Sequence, residues 1–142
     1  MRDLLRRRQL LVHKRTCLIL SLKNQYARTY GKSLSLSRLK SSQPQQAAEL
    51  FFDPYDQLAA RITKTEIDHL GDAIARIEKA CWKQANKIDG YQNIRTLPGI
   101  GAVLSGTITL EVGDISRFKK PEHFASYCRT VPAPRKSKGK SK

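Results

Sequence analysis

The sequence predicts a mainly α fold: long antiparallel coiled-coil helices, then a small domain built on a helical hairpin, then a disordered basic tail. Three observations predict it. Leu4/Leu5, Leu11/Val12 and Leu18/Ile19 recur every seven residues, and seven is the coiled-coil period. Ile67, Leu70, Ile74, Ile77 and Cys81 form a second stripe at 3-4-3-4 spacing. Leu97-Pro98-Gly99-Ile100-Gly101 sits between two helix-like stretches, where glycine supplies the positive φ of a sharp turn at no steric cost.

Taken in order, residues 3–30 read as one helix, with Leu22 and Tyr26 continuing its stripe. Arg6, Arg7, Arg8, Lys14, Arg15 and Lys23 fall largely off that stripe, and Gly31 is a plausible stop. Residues 31–46 are rich in Ser, Lys and Gln, contain Pro44, and read as a flexible connection. Asp53-Pro54 suits the start of a second helix running to about residue 87, with aspartate at the N-cap and proline in the first turn. Its narrow stripe fits a two-helix seam, made with residues 3–30 or with another copy. The competing reading is an ordinary small helical bundle. A short turn of helix over 91–96 leads into the hairpin. The helix after it, 102–112, carries Gly106, Thr107 and Thr109, which weaken its propensity, so packing must hold it. Gly113 ends it, Pro121 opens a last short helix, and strand content should be near zero. The expected divisions are therefore 1–46 (basic coiled-coil helix and connection), 47–90 (second coiled-coil helix), 91–128 (hairpin domain) and 129–142 (basic disordered tail).

Charge is distributed unevenly over the 142 residues. The formal net charge is +15. Residues 1–40 hold eleven Lys/Arg and one acid, residues 129–142 hold six and none, and the segment between is balanced. Cationic arms attract nucleic acid by releasing counterions from phosphates. A basic helix on anionic lipid is the alternative, but no apolar run approaches the roughly 20 residues of a membrane span. No signal peptide is visible, and Cys17, Cys81 and Cys128 form neither a metal-ligand spacing nor a disulfide framework. A reducing cytoplasm is the expected setting.

Candidate chemistry is sparse. His13, His69 and His123 show no ligand or base at helical spacing, so no metal site is expected in this chain. Asp68 and Asp72, with Lys64, Arg76 and Lys79 nearby, read as a solvated charged face. Asp114 reads as a cap for the following turn. Ser137 lies in Arg135-Lys136-Ser137-Lys138-Gly139-Lys140. Nearby cations favour an attacking alkoxide and hold phosphates, although local sequence alone reads it as a tail serine. The hairpin is the stronger signal. Helix N-termini leave N–H groups unpaired and bind anions, so Leu97, Gly99 and Gly101 are candidate phosphate contacts. Arg6, Arg7, Arg8, Arg135, Lys136, Lys138 and Lys140 join them as nucleic-acid contacts. This pattern resembles the helix-hairpin-helix motif of DNA-repair and recombination proteins.

The wider pattern resembles an insertion-sequence transposase of the IS-one-ten type, the DEDD and serine transposases related to the pilin-gene invertase. The resemblance runs from Ile88 to Lys140. It rests on Leu97–Gly101, the apolar helix after it, Glu111-Val112-Gly113-Asp114-Ile115-Ser116-Arg117-Phe118, Phe124-Ala125-Ser126-Tyr127, and Val131-Pro132 before a Ser-x-Gly-Lys tail. It implies a C-terminal transposase domain with Ser137 at the position of the family's attacking serine. It also implies DNA as partner and, as in some members, a structured guide RNA. Assembly would run through the coiled coil, and magnesium would be held by four acidic residues of an N-terminal RuvC-like domain. The family usually has Ser-Gly where this chain has Ser137-Lys138-Gly139. The expectation is a truncated transposase that starts at the coiled coil, stops in the serine loop and is inactive alone. The alternative is a non-catalytic helix-hairpin-helix nucleic-acid-binding protein that dimerises through its coiled coil.

Overall fold

A computed structural model describes residues 1–130 and the backbone of residues 136–137 and 140–141. The fold is mainly α, in two compact units, residues 1–111 and 112–142.

The first unit is organised by two long helices, α1 (Arg2–Tyr30) and α4 (Pro54–Ala85). They lie antiparallel. Arg8 Nε donates to Glu78 Oε1 at 2.7 Å near one end, and Gln25 Nε2 donates to Asp56 Oδ1 at 2.9 Å near the other. Both helix limits have local causes. Gly31 adopts φ 64 and caps α1, its N–H donating to the Ala27 carbonyl. Asp53 Oδ1 accepts from the N–H groups of Tyr55 and Asp56, and Pro54 takes the first turn of α4.

The seam keeps a seven-residue period, as the apolar spacing predicts, but its register is more polar than the stripes suggest. On α4 the buried residues are Ala60, Ile67, Ile74 and Cys81, with Lys64 and Ala85 beside them, whereas Leu70 and Ile77 are only half-buried. On α1 the fully buried residues are Leu5 and Leu22. Arg8 and Arg15, expected off the stripe, are half-buried in it. Arg15 reaches across to Gly71, where an added Cβ would lie 3.7 Å from its Nη1, an ordinary contact. Lys64 is also not on a solvated face. It is 1% exposed, and its Nζ lies 2.6 Å from both Asp68 carboxylate oxygens.

Residues 31–46 are not a featureless connection. They contain α2 (Leu36–Ser41) and the start of α3 (Pro44–Ala48). Gln43 and Gln46 close a capping box on α3. These short helices turn the chain and plug the closed end of the helix pair. Leu34, Leu39, Ala47 and Phe51 pack there against Leu22, Ala60 and Ile67. Phe51 meets Tyr26 edge-on at 5.8 Å, and the Tyr30 hydroxyl accepts from the Phe52 N–H at 2.8 Å. Each of these large apolar side chains contributes about 1.5–3 kcal/mol by leaving water.

At the open end a second cluster joins Leu5, Cys81 and Ala85 to α5 (Tyr91–Arg95) through Tyr91 and to α6 (Ala102–Val112) through Leu110. Gly106 lets α6 approach α4. A methyl there would overlap the Trp82 ring, whose Cε3 lies 2.5 Å from the ideal Cβ position. Burial pushes the Cys81 thiol above its usual pKa.

The second unit begins beyond Glu111. Gly113 (φ 65) ends α6 and Asp114 caps a 3-10 turn over Ile115–Arg117. α7 (Pro121–Tyr127) follows, and Arg129 (φ 56) closes it, with the Thr130 N–H donating to the Ala125 carbonyl. Two-residue strands β1 (Lys136–Ser137) and β2 (Lys140–Ser141) pair antiparallel. The rest of the expected tail, residues 131–135, 138–139 and 142, lies outside the described residues.

Candidate nucleic-acid interface

The hairpin is built as its sequence requires. The Ile100 N–H donates to the Leu97 carbonyl at 3.1 Å, closing a β-turn with Pro98 second and Gly99 third. Gly99 has φ 82, the left-handed value that the third position of a type II turn demands. Gly101 lies outside the left-handed region, so the positive φ expected of the turn's glycines falls on Gly99 alone. The Gly101 carbonyl accepts from both the N–H and the hydroxyl of Ser105, each at 3.0 Å. Among the described residues, no acceptor meets the N–H groups of Ala102, Val103 and Leu104, and all three residues are exposed. Three donors at the positive end of an eleven-residue helix are thus without an acceptor among the described residues. Leu97 is exposed beside them.

The N-terminal cations divide by partner. Arg8 is committed to Glu78. Arg6 lies 3.7 Å from Asp3 and 3.9 Å from Glu111, and Arg2 lies 3.8 Å from Glu111. Arg7 is exposed and has no ion pair among the described residues. The structure thus separates three adjacent arginines that the sequence presents as one patch. The Cys17 Sγ lies one turn along α1 from His13, 3.7 Å from its Nε2.

In the second unit, Asp114 accepts from the Ser116 hydroxyl at 2.7 Å and from the Ser116 N–H at 2.9 Å. The hydroxyl first, and then the N–H, hold its carboxyl below the usual carboxylate range. This is the capping role expected of it. Sequence reasoning missed Arg117. Its guanidinium lies 4.4 Å from the Phe118 ring centroid and 4.7 Å from that of Tyr127. Phe124 meets Phe118 at 5.3 Å. An Arg-Phe dipeptide followed by a helix with aromatics at its fourth and seventh positions was the available signal. Ser137 falls in β1, with Lys136 beside it and Lys140 in β2. Arg135 and Lys138 lie outside the described residues.

The hairpin, Arg117 and Ser137 all fall within one matched segment. Residues 91–142 match the model of the Transposase IS116/IS110/IS902 family. The C-terminal third of the chain is similar to that family, and the match supports a transposase function. No curated protein and no solved structure matches the chain.

Chemically, the described residues can hold anions at the start of α6 and along exposed cations. They contain no group of three or more His, Cys, Asp or Glu side chains placed to hold a metal ion. Among them no helix is long and apolar enough to cross a membrane.

Proposed function

We propose that this chain takes part in DNA transposition as part of an insertion-sequence transposase, docking on DNA through the Leu97–Gly101 hairpin and its exposed cations. The observation that carries this reading is the family match over residues 91–142, which includes a helix N-terminus whose first three N–H groups meet no acceptor among the described residues. A phosphate placed there would receive backbone hydrogen bonds and the favourable end of the helix dipole. Arg6, Arg7, Lys136 and Lys140 add the long-range attraction of a chain carrying +15. Ser137 is the proposed position of the attacking serine, by its place in the family pattern. The α1–α4 pair is the proposed self-association element. A structured guide RNA is a second proposed ligand, and a cytoplasmic setting suits all of these. Alone, the chain should form no covalent DNA product, because the acidic metal-binding residues of the family are expected elsewhere.

Binding to duplex DNA and to structured RNA across a salt series tests this. Gly101→Ala meets nothing within 4 Å and needs no left-handed φ, so it should leave helicity intact. If the hairpin grips phosphate, this variant weakens binding several-fold at every salt concentration. Unchanged binding would assign the affinity to the cations and the turn to packing. A covalent adduct with DNA and Mg²⁺ would overturn the expectation of inactivity.

A further inference from the structure

α1 has a second organised face, on the side away from α4. Leu10, His13, Cys17 and Leu20 follow one another there at 3-4-3 spacing, and all four are exposed. The His13 Nε2 and Cys17 Sγ are 3.7 Å apart. Donors on one tetrahedral zinc, with bonds of about 2.05 Å to nitrogen and about 2.3 Å to sulfur, sit about 3.6 Å apart. The two side chains therefore already stand at chelating distance, on one helix turn, and both are exposed.

They fill only two of four positions, and the face itself indicates the source of the others. Leu10 and Leu20 are equally far from the midpoint of His13 and Cys17. A second α1 laid antiparallel across it would set each Leu10 against a Leu20 and each His13 against a Cys17. That reciprocity is the signature of a two-fold interface, in which one patch is its own complement. Arg15 lies on the α4 side of the helix, its guanidinium reaching towards Gly71, and exposed Lys14 flanks this face rather than lying on it. We propose that His13 and Cys17 from two copies of this chain clasp one zinc ion between their α1 helices. The site is then the closed two-cysteine, two-histidine set of a structural zinc centre. Each Cys17 binds as thiolate after giving its proton to solvent, and each His13 binds through the Nε2 lone pair of the neutral ring. Leu10 and Leu20 are buried as the helices meet. The clasp does not depend on nucleic-acid binding.

The test uses the full chain, free of nucleic acid, carrying Cys128→Ser. Cys17 is then the only exposed thiol, since Cys81 is buried. Cobalt(II) serves as the spectroscopic probe. The expected result is a thiolate-to-cobalt charge-transfer band saturating at one ion per two chains. Zinc should double the mass in solution relative to chelator. Cys17→Ser and His13→Ala should each abolish both effects without loss of helicity, because both side chains are exposed. The proposal is overturned by absence of the band, by a band that survives Cys17→Ser, or by a mass that is the same with zinc and with chelator.

Discussion

Two glycines of the first unit look alike in sequence and should behave oppositely. Gly71 and Gly106 both lie inside helices, where glycine costs about 0.5–1 kcal/mol relative to alanine. At Gly71 an added methyl meets only Arg15 Nη1, at ordinary contact distance. Gly71→Ala should therefore raise stability by about 0.5–1 kcal/mol. At Gly106 the methyl collides with the ring of Trp82. Gly106→Ala should lower stability by about 1–3 kcal/mol, because overpacking outweighs the gain in propensity. Chemical denaturation of both variants checks the pair; equal effects would mean that Trp82 swings aside. The difference was not legible in the sequence, which marks both positions only as weak points in a helix. Gly99 was legible, because a Pro-Gly step between two helix-like stretches has few other conformations open to it.

At the scale of the element, the α1–α4 seam trades apolar layers for charged ones. Lys64 is buried and pairs with Asp68, which is itself partly exposed. Burying an ammonium is costly, and pairing it restores only part of the cost. Lys64→Met should be neutral or stabilising, by up to a few kcal/mol, since Asp68 keeps its contact with water. Asp68→Ala should destabilise by about 2–3 kcal/mol, because it leaves the buried charge alone. Thermal melts decide this, and a loss on Lys64→Met would show that the pair stabilises the seam. The seven-residue period was readable because Ile67, Ile74 and Cys81 repeat it. Arg8, Arg15 and Lys64 were not readable as seam residues. Their long side chains run along apolar surface, and the charged ends of Arg8 and Lys64 meet Glu78 and Asp68; a hydrophobic pattern does not record that. α2 and α3 escaped for a different reason. They are six and five residues long, and they are held by the cluster around Phe51 rather than by their own propensity.

Over the whole molecule, the count of cations overstates the charge available to a ligand. Arg8 is bound to Glu78, and Arg2 and Arg6 share Glu111. Arg7→Gln should lower the slope of log affinity against log salt by about 0.9 per phosphate lost. Arg8→Gln should leave that slope unchanged and lower the melting temperature. A salt series on both variants separates the two roles, and equal slopes would mean that the Glu78 pair opens when nucleic acid arrives. The mainly α architecture, the hairpin and the cap at Asp114 were visible in advance, because each is written in neighbouring residues. The contacts of Arg117 with Phe118 and Tyr127 depend on how α7 returns, which local sequence does not encode.

The cluster at the closed end also sets an order of events as the chain is made. Its members run from Leu22 to Ile67, so all of them are available once the first half of the chain has left the ribosome. Leu5 has to wait for Cys81, Ala85, Tyr91 and Leu110. Closing the shorter loops costs less entropy, and domains fold from the N-terminal side during synthesis. The helix pair should therefore zip from its plugged end towards its termini. The hairpin would emerge onto a scaffold already formed, and a nascent chain whose first 70 residues have cleared the ribosome would carry a folded stub that resists protease.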